Sequence, residues 1–396
     1  MVVRNIVDGI YSVGVIDWDR RLFDDLVPLP EGTTYNSYLV RGSTKTALID
    51  TVDPKYEEEF ITNLVKLGCD RIDAIIVNHA EQDHSGSIPI ILELFPAAKI
   101  YCTEKCSDLL FSLLDVPKER IIVVKSGENL DLGGITLEFI ETPWVHWPET
   151  MVTYCPERKI LFPCDLFGSH HATSSLFMDD PCRTEVLAKR YYAEIMMPFR
   201  SSIKEYLGIF SKMDIKIIAP SHGPLHNNPS WIIDKYADWT SDKVKNYVLI
   251  PYVTMHGSTE RMVRILAGLL IERGINVRPF NLTGSDSGLL AYELVDAATV
   301  IFATPTVLFG PHPEMVTTAY LANLIKPKTR YATVIGSFGW GGKTIDTIKG
   351  LIPHVKAELL TPVYVKGAPG EEAYNELTIL ADTIAEKHAQ DTNIIR

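Results

Sequence analysis

The stretch Ala74-Ile75-Ile76-Val77-Asn78-His79-Ala80-Glu81-Gln82-Asp83-His84-Ser85-Gly86-Ser87 sets a short apolar run directly before a loop dense in imidazoles and carboxylates. Four apolar residues followed by polar punctuation read as a buried strand ending at its loop. In layered α/β folds, groups that bind ligands sit past the carboxyl ends of strands. Alternation sends His79, Glu81 and Asp83 one way and His84 another, a pattern suited to two adjacent metal ions rather than one.

Three further candidates occupy the same kind of position. His146 follows a strand in Thr142-Pro143-Trp144-Val145-His146-Trp147-Pro148, Asp165 follows Ile160 to Cys164, and His222 ends Ile217-Ile218-Ala219-Pro220-Ser221-His222-Gly223. Strands of one sheet can deliver all of them to a single rim. His226 competes with His222, since both lie in the same short segment.

Working outward, residues 35 to 50 read as two strands around a Gly-Ser turn, followed by a helix from Lys55 to Leu67. Shorter β signals appear at Lys99 to Cys102, Arg120 to Val124, Ile135 to Glu141, Met151 to Tyr154, Lys159 to Pro163 and Ile215 to Pro220. Helix is expected over Ile88 to Leu94 and most of Asp180 to Ser211. This mixture predicts an α/β layered domain, with strands short enough for a two-sheet sandwich. After the Asn227-Asn228-Pro229 breaker and one more helical stretch, the rhythm changes near Asn246, which divides the chain into domains at 1–245 and 246–396. From there strand and helix alternate five times, the pattern of a doubly wound parallel sheet. Pro251 lies inside its first strand, where a local bulge or missing bond is expected.

Three loops of that second half carry the signal for a ligand. Thr254-Met255-His256-Gly257-Ser258-Thr259 opens a helix, whose N-terminal N–H groups and dipole attract a phosphate. Pro305-Thr306-Val307-Leu308-Phe309-Gly310, preceded by Thr304, and Ser337-Phe338-Gly339-Trp340-Gly341 follow the next strands. They offer glycines for close backbone approach and aromatic or apolar side chains able to flank a flat ring. A glycine-rich dinucleotide fingerprint is absent, so a nicotinamide site is not expected.

Length and composition agree with two domains: 396 residues, 46% hydrophobic and 22% charged. The 38 basic and 50 acidic side chains give a formal charge of -12, most of it before Asn246, which disfavours nucleic acid and anionic membranes as partners. No apolar run approaches the ~18 residues of a membrane span. Asp8 and Asp17 interrupt any signal-peptide core, so a cytoplasmic location is expected. The six cysteines form no C-x-x-C pair and are expected as reduced, mostly buried thiols.

Residues 1 to 240 resemble the metallo-β-lactamase superfamily, with its His-x-[His/Glu]-x-Asp-His signature followed by single His, Asp and His ligands. Hydrolases of that fold usually carry histidine where this chain has Glu81; a carboxylate makes the ligand set oxygen-rich and suits iron better than zinc. With His146-Trp147-Pro148-Glu149-Thr150-Met151, the sequence resembles the flavodiiron proteins, and residues 246 to 396 resemble flavodoxin. The resemblance implies an N-terminal αββα sandwich with two iron ions per chain. His79, Glu81 and His146 would hold one iron, Asp83, His84 and His222 the other, and Asp165 would bridge. In some members the counterpart of His84 leaves the metal. His170, His171 and Tyr192 are candidates for groups behind the ligands, His170 and Tyr192 foremost. The C-terminal half would bind FMN, with His256 where flavodoxins often have threonine.

The activity so implied is an oxidoreductase that reduces dioxygen to water or nitric oxide to nitrous oxide. Its electrons would pass through FMN from a separate donor, a reduced deazaflavin coenzyme or a rubredoxin, in a head-to-tail homodimer or a dimer of such dimers. The alternative is a zinc hydrolase with an accessory flavodoxin-like module; Glu81 and the complete set of flavin loops weigh against it.

Overall fold

The computed structural model describes residues 3–396. The chain forms two compact units, residues 1–192 with 199–237, and residues 238–396 with 193–198.

In the first unit a seven-stranded sheet runs in the order Arg4–Val7, Ile10–Ser12, Tyr38–Arg41, Thr46–Ile49, Ala74–Ile76, Lys99–Cys102, Ile121–Val123. A second sheet has the order Asn129–Asp131, Thr136–Glu141, Met151–Cys155, Ile160–Phe162, Ile217–Ile218. Strand alternation divides the first sheet's side chains between two cores. Val40, Ala47, Ile49, Ala74 and Ile76 join Leu137, Phe139, Met151 and Phe162 of the second sheet in the core between the sheets. Leu39, Leu48, Ile75, Val77 and Ile100 point the other way. They pack with Phe60 and Leu64 of the helix Glu57–Lys66, Ile88 and Ile91 of the helix Ile88–Leu94, and Cys106 and Leu110 of the helix Glu104–Leu114. Both faces of the strand Ala74–Ile76 are therefore sealed, which explains its unbroken apolar reading.

Ahead of these strands the chain makes short pairings that the sequence reading did not assign, Val15–Asp17 with Thr33–Tyr35 and the hairpin Leu22–Phe23 with Val27–Pro28. Strands of two or three residues are too short to display a period. The helical stretch after Asp180 is interrupted: α-helix at Pro181–Tyr191, a π turn at Tyr192–Met196, a 3₁₀ turn at Met197–Phe199, then α-helix again at Arg200–Phe210.

The second unit is a parallel sheet in the order Asn276–Asn281, Val244–Tyr252, Ala297–Ala303, Tyr331–Phe338, with Glu358–Leu359 and Val363–Lys366 both beside the last. In sequence order this is 2-1-3-4-5, the arrangement with a switch point between the first and third strands. Of the local bulge or missing bond expected at Pro251, the bulge is not there, and no pairing of Pro251 with the strand Ala297–Ala303 is made. Pro251 pairs in register with Phe280, and the irregularity lies between Lys245 and Val248. Proline's fixed φ fits an extended strand, and the ladder loses only the donor that proline lacks. All six cysteines are free, four of them buried. Among the described residues no helix is long and apolar enough to cross a membrane.

Candidate metal centre and flavin cleft

The loop that leaves the strand Ala74–Ile76 is clamped before it reaches the site. The Asn78 backbone N–H and side-chain amide donate to the two carboxylate oxygens of Asp50 at 2.8 and 3.1 Å, and Thr153 donates to Asn78 Oδ1 at 2.7 Å. Farther along, the hydroxyl of Thr51 donates to the His84 carbonyl at 2.7 Å, and Ser85 Oγ donates to the Ala80 carbonyl at 2.6 Å. These bonds anchor the loop that carries His79, Glu81, Asp83 and His84.

His79, Glu81, His146 and Asp165 place one ligand atom each within 4.8 Å of one another, and so do Asp83, His84 and His222. Asp165 faces both groups. Its Oδ2 lies 3.2 Å from His146 Nε2 and 3.5 Å from His79 Nε2, while its Oδ1 lies 3.1 Å from His84 Nε2 and 3.4 Å from His222 Nε2. Glu81 Oε2 approaches His79 and His146 at 3.1 and 3.3 Å, and Asp83 Oδ2 approaches His222 and His84 at 3.1 and 3.3 Å.

Second hydrogen bonds fix which nitrogen of two rings meets the cluster. His79 Nδ1 is 2.7 Å from Glu149 Oε1, and His222 Nδ1 is 2.6 Å from the Thr34 carbonyl. A proton on each Nδ1 serves those acceptors and leaves the Nε2 lone pair directed at the cluster, the usual arrangement around a metal-binding imidazole. Both oxygens of Asp83 are buried and receive no hydrogen bond. Seven ligand-type groups with inward lone pairs and an unsatisfied buried carboxylate fit a pair of cations.

The electrostatics express the same crowding. Burial opposes charge on His222, but the close carboxylates of Asp165 and Asp83 outweigh it and hold its pKa up at about 10. His79, His84 and His146 are raised in the same way against their burial. Burial likewise disfavours the Asp165 carboxylate, yet the charge of His84 and hydrogen bonds from His146 and His222 hold it well below the usual range. These protons stand where cations would, so metal binding must release them.

Around the cluster, His170 takes Thr33 Oγ1 at 2.9 Å on Nδ1 and packs against the ring of His222, with centroids 4.9 Å apart. Burial, then repulsion by His222, pushes its pKa well down, so it stays neutral. The tyrosine that reaches Asp165 is Tyr191, whose hydroxyl donates to Oδ1 at 2.9 Å; Tyr192, the one expected, packs its ring on Tyr236 at 5.5 Å. Neighbouring helical residues point about 100° apart, so only one of the two can face the carboxylate. Two further carboxyls escaped the sequence reading: Glu149, and Asp24, which hydrogen-bonds Glu81 and is pushed up to about 6 by burial and by the charges of Glu81 and Asp83. Glu149 stands three residues past His146, so its place in that motif was the available signal.

His226 is outside the cluster. It is buried, with Nε2 on the Phe167 carbonyl at 3.1 Å and its pKa lowered to about 4 by burial. The unfolded chain takes this proton near pH 6.5 and the folded chain only near 4, so the stability from a neutral His226 is full above 6.5 and is lost as pH falls toward 4. At pH 5 the loss is about 2 kcal/mol. Urea midpoints at pH 7 and pH 5 check this: His226→Gln, which keeps a donor for Phe167, is expected to show a smaller drop than the parent.

In the second unit, a cleft of about 260 Å³ opens where the three expected loops meet, lined by Thr254, Met255, His256, Ser258, Thr259, Pro305, Thr306, Ser337, Phe338, Gly339 and Trp340. Gly367, which the sequence reading did not single out, completes the wall. Gly257, with φ of +85°, is the N-cap of the helix Ser258–Glu272, a backbone that favours glycine. Val307, Leu308, Phe309, Gly310 and Gly341 are not among the lining residues. Thr306–Val307 and Gly310–Pro311 pair as a small hairpin that leaves Leu308 85% exposed. A cleft that combines apolar and aromatic side chains with hydroxyls beside a helix N-terminus has the chemistry for an aromatic ring system bearing a phosphate.

Residues 33–223 match the family described as ODP family beta lactamase. The chain is 38% identical over 364 residues to a nitric oxide reductase of Moorella thermoacetica, covering 90% of each. It is 36% identical to a coenzyme F420H(2) oxidase of Methanothermobacter marburgensis, covering 88% of this chain and 89% of that one. Among solved structures, rubredoxin oxygen:oxidoreductase from Desulfovibrio gigas superposes with a TM-score of 0.93 at 31% identity, covering 98% of both chains. The flavodiiron protein from Giardia intestinalis gives 0.90 at 30%, again over 98% of both. An N-terminal sandwich of metallo-β-lactamase type followed by a flavodoxin-like sheet, with relatives at this identity over nearly its whole length, makes this chain a member of the flavodiiron family of oxidoreductases.

Proposed function

We propose that this chain reduces dioxygen to water or nitric oxide to nitrous oxide at two iron ions in its first unit, with electrons relayed by FMN in its second. The observation that carries the reading is the placement of Asp165, one oxygen toward each of two ligand groups. In this reading His79, Glu81 and His146 would hold one iron, Asp83, His84 and His222 the other, and Asp165 would serve both. The carboxylates at Glu81, Asp83 and Asp165 favour iron over zinc and weigh against a hydrolase.

Bound iron would supply a redox-active site for a diatomic ligand, and bound FMN a carrier that accepts and releases electrons singly or in pairs. The chain's own residues do the rest. Glu149 and the Thr34 carbonyl orient two ligand rings, Tyr191 holds Asp165 in place, and neutral His170 packs against His222. The gas and the donor follow the names of the relatives, with a reduced deazaflavin coenzyme or a rubredoxin as the separate donor. A cytoplasmic, head-to-tail homodimer, or a pair of such dimers, completes the proposal.

Gas-electrode assays of anaerobically prepared protein loaded with iron and FMN, given each donor in turn, are expected to show consumption of at least one gas. Stoichiometric zinc in protein grown with iron available, or no consumption of either gas although the flavin is reduced, would overturn the reading.

A further inference from the structure

The cleft in the second unit has a wall held from behind by one residue outside the three loops. Tyr364, on the strand Val363–Lys366, places its hydroxyl 2.8 Å from Thr306 Oγ1 and 3.1 Å from the Thr304 carbonyl oxygen. Its ring lies parallel to that of Phe338, with centroids 5.8 Å apart and planes within 4°. Thr306 Oγ1 is also 2.8 Å from Thr344 Oγ1. Thr306 and Phe338 both line the cleft, and they come from different loops.

Counting protons settles the direction of these bonds. The Thr304 carbonyl can only accept, so the single hydroxyl proton of Tyr364 goes there. The tyrosine oxygen is then an acceptor toward Thr306, and Thr306 spends its own proton on it. Thr344 must therefore donate to Thr306. With every proton of the chain committed, Thr306 has none left for a ligand and keeps one lone pair.

We propose that Tyr364 is a positioning residue for the flavin: it fixes the Thr306 hydroxyl as an acceptor for a ring N–H and backs the Phe338 ring that lines the same cleft. The inference rests on FMN occupying this cleft. An oxidised flavin ring carries one N–H and a reduced ring carries more, so a committed acceptor holds the reduced ring at least as tightly as the oxidised one.

The test uses the full-length chain and FMN itself. Titration should show Tyr364→Phe, which keeps the stack and removes the hydroxyl, binding FMN about 3- to 10-fold more weakly, the scale of one hydrogen bond. Thr306→Val should weaken binding to a similar extent. Because both variants break one chain of bonds, the double variant should lose clearly less than the product of the single losses. The midpoint potential of bound flavin should stay level or fall. Unchanged affinity in Tyr364→Phe, independent single effects, or a raised potential would overturn the proposal. If Tyr364→Phe proves unstable, Thr306→Val, which removes the acceptor itself, supplies the affinity and potential readings, and unchanged values there overturn the proposal. A parent protein that binds no FMN would instead overturn the flavin reading itself.

Discussion

Replacing Asp165 with asparagine is expected to reduce the metal content from about two ions per chain to at most one and to lower gas consumption by at least ~100-fold, more than the loss of a group behind a ligand causes. Asparagine is nearly the same size, so packing survives. Its amide, however, offers one oxygen and one NH₂, and the nitrogen of a neutral amide is a donor, not a ligand. Whichever way it turns, one of the two groups, His79 with His146 or His84 with His222, meets a donor where Oδ1 or Oδ2 stood. If the amide is turned with its nitrogen toward Tyr191, it also forfeits the hydrogen bond that Oδ1 accepts. Elemental analysis beside the gas electrode checks both halves. Two retained irons with near-parent activity would mean that the carboxylate does not bridge.

Gly336→Ala is expected to cost the second unit roughly 3 kcal/mol or more and with it the retention of flavin. A Cβ at Gly336 would stand 1.9 Å from the Thr304 carbonyl oxygen and 2.7 Å from the Tyr364 ring. The first neighbour is backbone of the adjacent parallel strand, which cannot step aside without opening the ladder between Ala297–Ala303 and Tyr331–Phe338. Overpacking at a fixed backbone atom lies at the severe end of such substitutions. Thermal unfolding monitored by flavin release should move to markedly lower temperature. An unshifted transition would show that the two strands can part at no cost.

The cluster of imidazoles and carboxylates was legible because its chemistry is concentrated at strand ends. Polar residues immediately after apolar runs can be read without knowing how the strands pair, and for six of the seven the sequence offered no competing residue, His84 being left open only in whether it reaches a metal. The seventh, His222, had a rival at His226; both are buried, and their partners separate them: one ring faces Asp83 and Asp165, the other a backbone carbonyl. Groups behind the ligands were far less legible. Tyr191 and Tyr192 are adjacent and identical, and the choice between them depends on helical phase just before a π turn. Asp24 comes from a hairpin of two-residue strands with no period to detect. In the second unit the alternation of strand and helix announced the sheet, but whether Leu308 and Phe309 face a ligand depends on a tertiary hairpin. Tyr364 looked like any strand aromatic.

The strand Ala74–Ile76 also sets what length changes the gene can tolerate. Ile75 and Val77 serve one core while Ala74 and Ile76 serve the other, and His79 follows two residues later in the same parity. Losing or gaining one codon there would exchange the two faces and rotate the imidazole away from its partners, since side chains alternate strictly along a strand. The bend at Gly68, which has positive φ and open space around its α-carbon, links the helix Glu57–Lys66 to that strand through exposed chain and answers to no such parity. Drift in chain length among descendants of this gene should therefore collect at bends of that kind and spare the run into His79, a pattern that comes from geometry before any chemistry is selected.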